Sequence, residues 1–557
     1  MEVSSRFFCA SLVLACAHLR GSPPPFENGR YGGEVVIAQR AEPKTFNPVT
    51  AVDGPSREII RRIMGDLISI NRQTHETEPG LAESWAVSKD GLHYTLTLRQ
   101  GLKFSDGHPF DSDDVVFSFA VYLDEKIASP QRDLLIIGDK PMQVTKLDGR
   151  RVRFDLARPY AAAERIFDSL AMLPKHLLER PWMEGRFAQA WNPGVAPGMI
   201  AGMGPFRLRE YKPGEQIILE RNPYYWKRDA AGRQLPYLDA LRFLFVQTEE
   251  AQALRFAAGE TGILNRFGAR QLPLIPASTV TDLGPGLEYS FLFFNLGAGG
   301  KPWFAKSEFR QAVSAAIDRE SIVRLVFGGH AYPLSTHVSP ANRLWVNERI
   351  PRPVRSIERA RNLLQQAGFR WNGDHALIDP QGQRVEFSLI TSAGNEDRMQ
   401  MATIVQEDLR QLGIEVHIAG IEFRSLLDRV MQTRQYDACI LSLGGGDADP
   451  NAEMNVWLSS GGTHLWNPGQ KQQATAWEAE IDSLMRRQEI TLRYMERKAL
   501  FDRVQEIEAA QLPLISLVSP DLLVAARKDI GNFRPSVLDH YTLWNAEYLF
   551  LRGSGAK

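Results

Sequence analysis

Residues 79–119 read PGLAESWAVSKDGLHYTLTLRQGLKFSDGHPFDSDDVVFSF, a stretch that combines the patterns of a strand, a turn and a helix. Residues 94–99 alternate apolar and polar side chains, which predicts a strand. Asp106-Gly107 is typical of a turn, because both residues tolerate turn geometry. Asp111 precedes further acids and then an apolar run, which predicts a helix that Asp111 caps. Strand, turn and helix in close succession indicate mixed α/β structure.

The same two periodicities continue on both sides of this stretch. Further strands are predicted at 33–38, 151–156, 289–294, 413–418, 436–441 and 514–518, a hairpin at 205–221, and helices at 55–68, 307–327, 356–367, 397–412, 477–487 and 492–510. Helices and strands intermix without a fixed repeat, so the predicted fold class is α/β. Runs 289–294 and 514–518 flank the large C-terminal half. If both cross between two lobes, they form a hinge.

Length, composition and charge exclude several classes of protein. At about 150 residues per domain, 557 residues indicate three to four domain-sized units. Lys and Arg total 65 against 66 Asp and Glu, a balance that argues against nucleic-acid binding by bulk electrostatics. With 44% hydrophobic residues, the chain has ample apolar surface to bury, which argues against disorder.

The first residues are typical of an export signal. Residues 7–15 form an apolar run that is far shorter than the roughly 20 residues needed to span a bilayer. Val13-Leu14-Ala15-Cys16 resembles a bacterial lipobox, in which Cys16 is acylated and becomes the mature N-terminus. An ordinary cleaved signal and a misassigned start are the alternatives. Residues 17–30 are then a tether, and the body belongs in the periplasm or at the cell-envelope surface.

A search for catalytic and metal motifs finds none. The sequence has no His-Glu-x-x-His, no Gly-x-Ser-x-Gly and no complete phosphate loop. The acidic run that begins at Asp447 imitates a calcium loop but lacks its glycine and its final glutamate. His330 and His337 are expected on the surface or in loops, and Cys439 is expected in the core. No enzyme activity, cofactor or metal is therefore predicted.

A series of motifs resembles one known family from about residue 31 to residue 550. The first is the stretch 79–119, with Leu-Ala-x-Ser-Trp, Gly-x-Lys-Phe and Asp-Gly-x-Pro-Phe. The others follow in the family's order: Gly204-Pro-Phe206, Pro213-Gly-Glu215 and Leu219-Glu-Arg-Asn-Pro-Tyr-Tyr-Trp226; Arg310-Gln-Ala-Val-Ser-Ala-Ala-Ile-Asp-Arg319; Ala367-Gly-Phe369; Leu412-Gly-Ile414; and Tyr436-Asp437. The chain resembles the extracellular solute-binding proteins of family 5, the peptide-, dipeptide- and nickel-type binding proteins of ABC importers.

This resemblance implies a two-lobe hinged fold of the periplasmic binding proteins, type II-like, with an extra domain inserted in the first lobe. The expected division is a signal at 1–16, a tether at 17–30, lobe I from 31–78, 200–288 and 515–557, the inserted domain at 79–199, and lobe II at 289–514. The implied function is capture of a peptide between the lobes by hinge closure, and delivery to ABC permease subunits in the membrane. We expect a monomer that binds no nucleic acid.

The resemblance also implies a position for the peptide amine. In peptide-binding relatives an Asp shortly before an Asp-Pro or Glu-Pro pair binds that amine, which here indicates Asp447, with Asp449 of Asp449-Pro450 beside it. The alternative is that Asp447 only caps a glycine-rich loop. The same fold would also suit an oligosaccharide, an opine, a metal chelate or haem, and an extracytoplasmic enzyme or chaperone is a remoter alternative.

Other residues are candidates because of their positions in the predicted elements. Asn295 ends a predicted crossover strand and is a candidate for bonding to ligand backbone, or else for a structural role in the hinge. Trp457 and Trp466 are candidates for stacking on a sugar or packing on a peptide side chain, or else for the core. Asn395 and Arg398 open the helix at 397–412 and are candidates for an anion site at its N-terminus, or else solvated surface.

Overall fold

The computed structural model describes residues 24–444 and 447–553. Cys16 and the predicted signal lie outside these residues. The strands are β1 Glu34–Gln39, β2 Ile68–Ile70, β3 Thr77–Pro79, β4 Ala82–Val87, β5 His93–Leu98, β6 Ile136–Ile137, β7 Lys140–Pro141, β8 Gln143–Lys146, β9 Arg151–Asp155, β10 Phe206–Lys212, β11 Gln216–Arg221, β12 Ala240–Phe245, β13 Ile263–Phe267, β14 Val280–Pro285, β15 Tyr289–Phe294, β16 Ala331–Pro333, β17 Arg370–Trp371, β18 Leu377–Ile378, β19 Glu386–Ser392, β20 Glu415–Ile421, β21 Ala438–Leu443, β22 Leu514–Ala526, β23 Ile530–Gly531 and β24 Phe550–Leu551.

The α-helices are distributed among these strands. They are α1 Gly54–Ile63, α2 Ser112–Leu123, α3 Ala163–Ile166, α4 Lys175–Met183, α5 Glu249–Ala257, α6 Ser307–Ala316, α7 Arg319–Val326, α8 Ile357–Gln366, α9 Glu396–Arg410, α10 Phe423–Leu427, α11 Met454–Trp457, α12 Ala476–Ile490 and α13 Tyr494–Gln511. None of the helices in the described ranges is long and apolar enough to cross a membrane.

One long strand joins two halves of the main sheet. The first residues of β22 pair with β15 and β16, and its last residues pair with β13 and β14. Strands β10, β11, β12 and β1 extend the sheet on the β13 side, and β21, β19 and β20 extend it on the β15 side. We call the first group, with β13 and β14, lobe I, and the second, with β15 and β16, lobe II.

Two adjacent segments carry the chain between the lobes. One is residues 286–288, between β14 and β15, and the other is residues 519–521 within β22. They are tied together because the Gly286 N–H donates to the Pro520 carbonyl at 2.9 Å and the Ser519 hydroxyl donates to the Gly286 carbonyl at 3.0 Å. These crossover segments are the place where hinge bending would occur.

The stretch that opened the sequence analysis forms a separate sheet. Strands β4, β5, β9 and β8 pair in that order, and α2 packs on β8 and β9. Asp111 caps α2 with a reciprocal pair of side-chain bonds that involves Asp114, which confirms the predicted helix start. The bulky side chains of this stretch, Phe104, Phe110 and Phe117, are buried in the core.

Most predicted elements are confirmed, with three informative differences. The predicted helix 55–68 ends at Ile63, five residues early. The predicted helix 307–327 is two helices, because the Asp318 side chain accepts the Ser321 N–H and starts α7 afresh. The predicted strand 514–518 is the first part of the thirteen-residue β22. The hairpin at 205–221 has its turn at Gly214, whose φ of +76° suits glycine.

Candidate functional site

A cavity of about 990 Å³ lies between the lobes at the crossover segments. Lobe I contributes the ends of β1 and β13 and the residues that follow β13. Lobe II contributes the N-terminal turn of α9 together with Ser290 of β15 and Ser442 of β21. The two serine hydroxyls are 2.8 Å apart and face the cavity as a pair. Its volume is in the upper part of the range for small-molecule sites.

Asn395 and Arg398 meet at this cavity, at the start of α9. The Asn395 side-chain oxygen accepts the Arg398 N–H at 2.9 Å, which caps the helix and fixes its first turn. The Arg398 Nε donates to the Ser442 hydroxyl at 3.3 Å. Within the described ranges Arg398 forms no ion pair with a carboxylate, and burial lowers the pKa of its guanidinium. A partly buried cation at the positive end of a helix dipole favours an anion.

The carboxylates near Arg398 already have partners in lobe I. Arg270 donates to Asp397 at 2.6 Å and also pairs with Glu396, so it joins lobe I to the first turn of α9. Arg266 of β13 pairs with Glu288 of the crossover segment at 2.8 Å. Each of these three acids therefore has an arginine partner other than Arg398, which leaves the Arg398 guanidinium available to a ligand.

A histidine and two aspartates meet beside the hinge, and two of them, His330 and Asp521, line the cavity. His330 Nδ1 is 2.8 Å from the Asp282 carboxylate and 4.0 Å from that of Asp521. Burial and the nearby charge of Asp282 raise the pKa of the Asp521 carboxyl to about 6. His330 lies in the loop after α7, as expected, and it also lines the cavity.

Asp447 and Asp449 lie away from this cavity and are each paired with an arginine. Arg165 of α3 binds both oxygens of Asp447, with Nε 2.6 Å from one of them. Arg497 of α13 binds both oxygens of Asp449 at 2.6 Å, and that pair is buried. Asp449 also caps the short turn that follows it by accepting the Asn451 N–H. The amine-binding role of these two aspartates stays a prediction.

Asn295 lies in the body of lobe II, where its side chain is fully bonded to the chain itself. Its amide donates to the Tyr436 carbonyl at 3.0 Å and to the Arg434 carbonyl at 3.3 Å, and its oxygen accepts the Gly297 N–H. It is buried and does not line the large cavity. Because all of these hydrogen bonds are made with the chain's own backbone, Asn295 has a structural role at the end of β15.

Trp457 and Trp466 are also buried in lobe II, at 1% and 0% exposure. The Trp466 indole N–H donates to Glu478 at 3.2 Å, and the Trp457 indole N–H donates to His337 Nε2 at 3.2 Å. His337, in turn, contacts Glu508 through Nδ1 at 2.6 Å. Since an indole only donates, its contact with Nε2 needs the neutral Nδ1–H tautomer of His337, whereas the Glu508 carboxylate outweighs burial and raises the pKa of the imidazole. His337 lies in a loop, which is one of the two positions expected for it, but it is buried and not at the surface.

The structure therefore brings together Asn395 and Arg398 from the predicted set, and places the other five elsewhere. Sequence analysis did not identify Arg266, Arg270 or Glu288 as site residues. Nothing in their local sequence distinguishes them from ordinary surface charges, because their roles come from contacts between lobes. Cys439 is buried as expected, and burial raises the pKa of its thiol.

Comparisons with known proteins agree with this two-lobe architecture. The solved structure of the ABC transporter substrate-binding protein CtaP from Listeria monocytogenes aligns with a TM-score of 0.77 at 23% identity, over 94% of this chain and all of that one. The oligopeptide-binding protein AppA from Bacillus subtilis, solved in complex with a nonapeptide, aligns with a TM-score of 0.70 at 25% identity, over 95% of this chain and all of that one.

A curated relative and a family model extend the agreement to sequence. A probable ABC transporter-binding protein from Deinococcus radiodurans is 28% identical over 507 residues, which are 86% of this chain and 85% of the relative. The model of the bacterial extracellular solute-binding proteins, family 5 middle, matches residues 76–464. Because that match spans more than half of the sequence, the chain belongs to the bacterial extracellular solute-binding proteins of family 5.

Proposed function

We propose that this chain is the extracytoplasmic substrate-binding component of an ABC importer, which encloses a peptide between its lobes and delivers it to a membrane permease. Its role is binding and not catalysis. The observation that carries the proposal is the interlobe cavity with Arg398 on its wall. The relative AppA from Bacillus subtilis is an oligopeptide-binding protein whose structure holds a nonapeptide, which supports a peptide as the ligand. Acylation of Cys16 would hold the protein at the membrane surface.

Closure follows from the two crossover segments. A ligand that touches both lobes binds the closed form more tightly than the open form, and it shifts the equilibrium by that difference in affinity. Arg398 would hold a carboxylate of the ligand, with Asn395 fixing the helix turn that presents it. The hydroxyls of Ser290 and Ser442 would supply neutral hydrogen bonds next to that carboxylate.

Thermal unfolding with defined peptides tests this assignment. The full chain is heated with a pool of two- to five-residue peptides, and then with the same pool amidated at the C-terminus. A ligand at about 100 times its dissociation constant adds roughly 2.7 kcal/mol of stability. We expect a clear rise in melting temperature with free carboxylates, and an Arg398→Gln variant with about 10- to 100-fold weaker affinity for them.

The control is Arg410→Gln, which removes an exposed guanidinium from the other end of α9. It should bind as the unchanged protein does. If the Arg398→Gln variant and the unchanged protein bind with equal affinity, Arg398 does not bind the ligand. If no peptide of either pool raises the melting temperature, the ligand is a solute other than a peptide.

A further inference from the structure

The Asp521 carboxylate lines the interlobe cavity without a bonding partner of its own. Its side chain is only 13% exposed, and it accepts no hydrogen bond from the residues that the structure describes. The nearest cationic side chain is His330, whose Nδ1 is 4.0 Å from Asp521 but 2.8 Å from Asp282, so the imidazole bonds to Asp282 instead. A largely buried carboxylate without a donor is unfavourable, and a cationic ligand group would relieve that cost.

The backbone of Asp521, in contrast, is held in place within its crossover segment. Its N–H donates to the His330 carbonyl at 3.0 Å, and the residue pairs with Pro285 of β14. The Pro520 carbonyl before it accepts the Gly286 N–H at 2.9 Å. The carboxylate is therefore presented to the cavity from a fixed point, so a ligand that binds it does not have to order this part of the chain.

The other carboxylates of the cavity wall are either paired or exposed. Those with arginine partners are Glu58, Glu288, Glu396 and Asp397. Glu249 and Glu250 lie exposed at the start of α5, and hydrated carboxylates of this kind attract an ammonium only weakly. Among the described residues of this wall, Asp521 is therefore the carboxylate that is largely buried and has no arginine or lysine partner.

Arg398 and Asp521 give the cavity two opposite charges that do not pair with each other. Val518 lies three residues before Asp521 on β22, about 10 Å away along the strand. Val518 pairs with Ser290, which is hydrogen-bonded to Ser442. Ser442 in turn accepts a hydrogen bond from the Arg398 Nε. The separation of the two charges is thus on the order of 10 Å, which an extended peptide of about three residues spans.

We propose that Asp521 binds the ammonium group of a peptide whose carboxylate Arg398 binds, so that the cleft holds both charged ends of a short peptide. The proposal rests on the proposed function and narrows its ligand to peptides of about three residues with a free N-terminus. It assigns the ammonium to the crossover segment, and not to Asp447 or Asp449, whose carboxylates are paired with arginines.

The test combines one change in the ligand with one change in the protein. A pool of tripeptides, with free and with acetylated N-termini, is titrated by calorimetry into the full chain and into its Asp521→Asn variant. Acetylation should weaken binding to the unchanged protein about 10- to 100-fold, because it removes the ammonium that Asp521 binds. Acetylation should have no effect on binding to Asp521→Asn, since both changes remove the same contact. If Asp521 were only structural, acetylation would weaken binding to the variant and to the unchanged protein by the same factor.

Glu250→Gln is the matched control, because it removes the same charge from an exposed position on the same cavity. It should leave the ratio of the two affinities as it is in the unchanged protein. The melting temperature of ligand-free Asp521→Asn checks its folding. That temperature should not fall, because burial and the charge of Asp282 already disfavour the ionised form of the Asp521 carboxyl.

Peptide pools of fixed length, from two to five residues, test the separation of the two charges. Affinity should be highest near three residues, and an affinity that rises steadily with length overturns the proposal. Equal effects of acetylation on the unchanged protein and on Asp521→Asn also overturn it, and both results leave the proposed function intact. If acetylation loses its effect in an Asp447→Asn variant instead, the ammonium binds at Asp447 and the proposal is wrong. Binding of no pool, free or acetylated, removes both the proposal and the peptide function.

Discussion

Single residues in lobe II show why an aromatic side chain in a glycine-rich segment is a poor indicator of a ligand site. Trp466 stands in the segment SSGGTHLWNPGQ, yet its ring is buried and lies 4.0 Å from the His464 ring, centroid to centroid. Its indole N–H is bonded to Glu478, which also caps α12 together with Thr475. The segment is therefore held by a buried carboxylate, and its polar groups serve the fold.

The protonation of Glu478 gives the first prediction. Burial raises the pKa of its carboxyl, but contacts with His464, the Trp466 N–H and the Ala474 N–H lower it more, to about 2 from an ordinary 4.5. A carboxyl whose folded-state pKa is depressed stabilises the fold above pH 4.5 and loses that contribution as pH falls towards 2. Glu478→Gln should therefore lower the free energy of unfolding near neutral pH by about 1–3 kcal/mol.

Melting curves recorded from pH 7 down to low pH measure this contribution of the Glu478 carboxylate to stability. The gap between the unchanged protein and Glu478→Gln should be constant above pH 4.5 and should close as pH falls towards 2. Glu480→Gln is the control, because Glu480 lies on the same helix in an exposed pair with Arg503. A gap that does not change with pH would show that Glu478 is not stabilised as a carboxylate.

At the scale of elements, periodicity in the sequence found the strands and helices but not where long ones break or continue. Strand β22 was predicted only to residue 518, because Pro520-Asp521 interrupts the apolar pattern. The strand continues since its two halves pair with different lobes, and the missing N–H of Pro520 falls at the crossover, where its carbonyl accepts Gly286. Local pattern does not reveal a change of pairing partner.

Only part of the candidate site could be predicted from the sequence. The cap and first turn of α9 have a local signature, so Asn395 and Arg398 could be found. The partner of that turn is Arg270, 126 positions before Glu396, and only the assembled lobes bring them together. Asp447 could be singled out by resemblance, but its partner Arg165 lies 282 positions earlier in the sequence.

The break between α6 and α7 gives a prediction at this scale. The Asp318 carboxylate accepts the Ser321 N–H at 2.9 Å and the Ser321 hydroxyl at 2.8 Å, so it satisfies the exposed start of α7. Asp318→Ala should lower the free energy of unfolding by about 1 kcal/mol. Urea unfolding followed by circular dichroism measures it, with Glu320→Ala in the exposed first turn as the control. Equal losses in both variants would contradict the capping role.

For the whole molecule, one of the contacts that join the two lobes is an ion pair at the cavity. Arg270 of lobe I reaches the first turn of α9 in lobe II, and it does so while 45% exposed to solvent. An exposed pair contributes about 0–1 kcal/mol, which is enough to bias an equilibrium between open and closed forms but not to lock it. Closure therefore has to be completed by the ligand.

Arg270→Gln tests that balance. Removing the Arg270 cation removes an ion pair that stabilises the closed form. The ligand-free protein should therefore populate the open form more, and its apparent affinity for ligand should fall by up to about fivefold. Small-angle scattering should show a larger radius of gyration for the variant.

Raising NaCl to about 0.5 M should also increase the radius of gyration of the unchanged protein, because salt screens exposed charges, and should change that of the variant less. Arg503→Gln, which breaks an exposed pair within lobe II, should change neither quantity. If Arg270→Gln binds ligand more tightly than the unchanged protein, the ion pair opposes closure, and Arg270 would have to act on the open form.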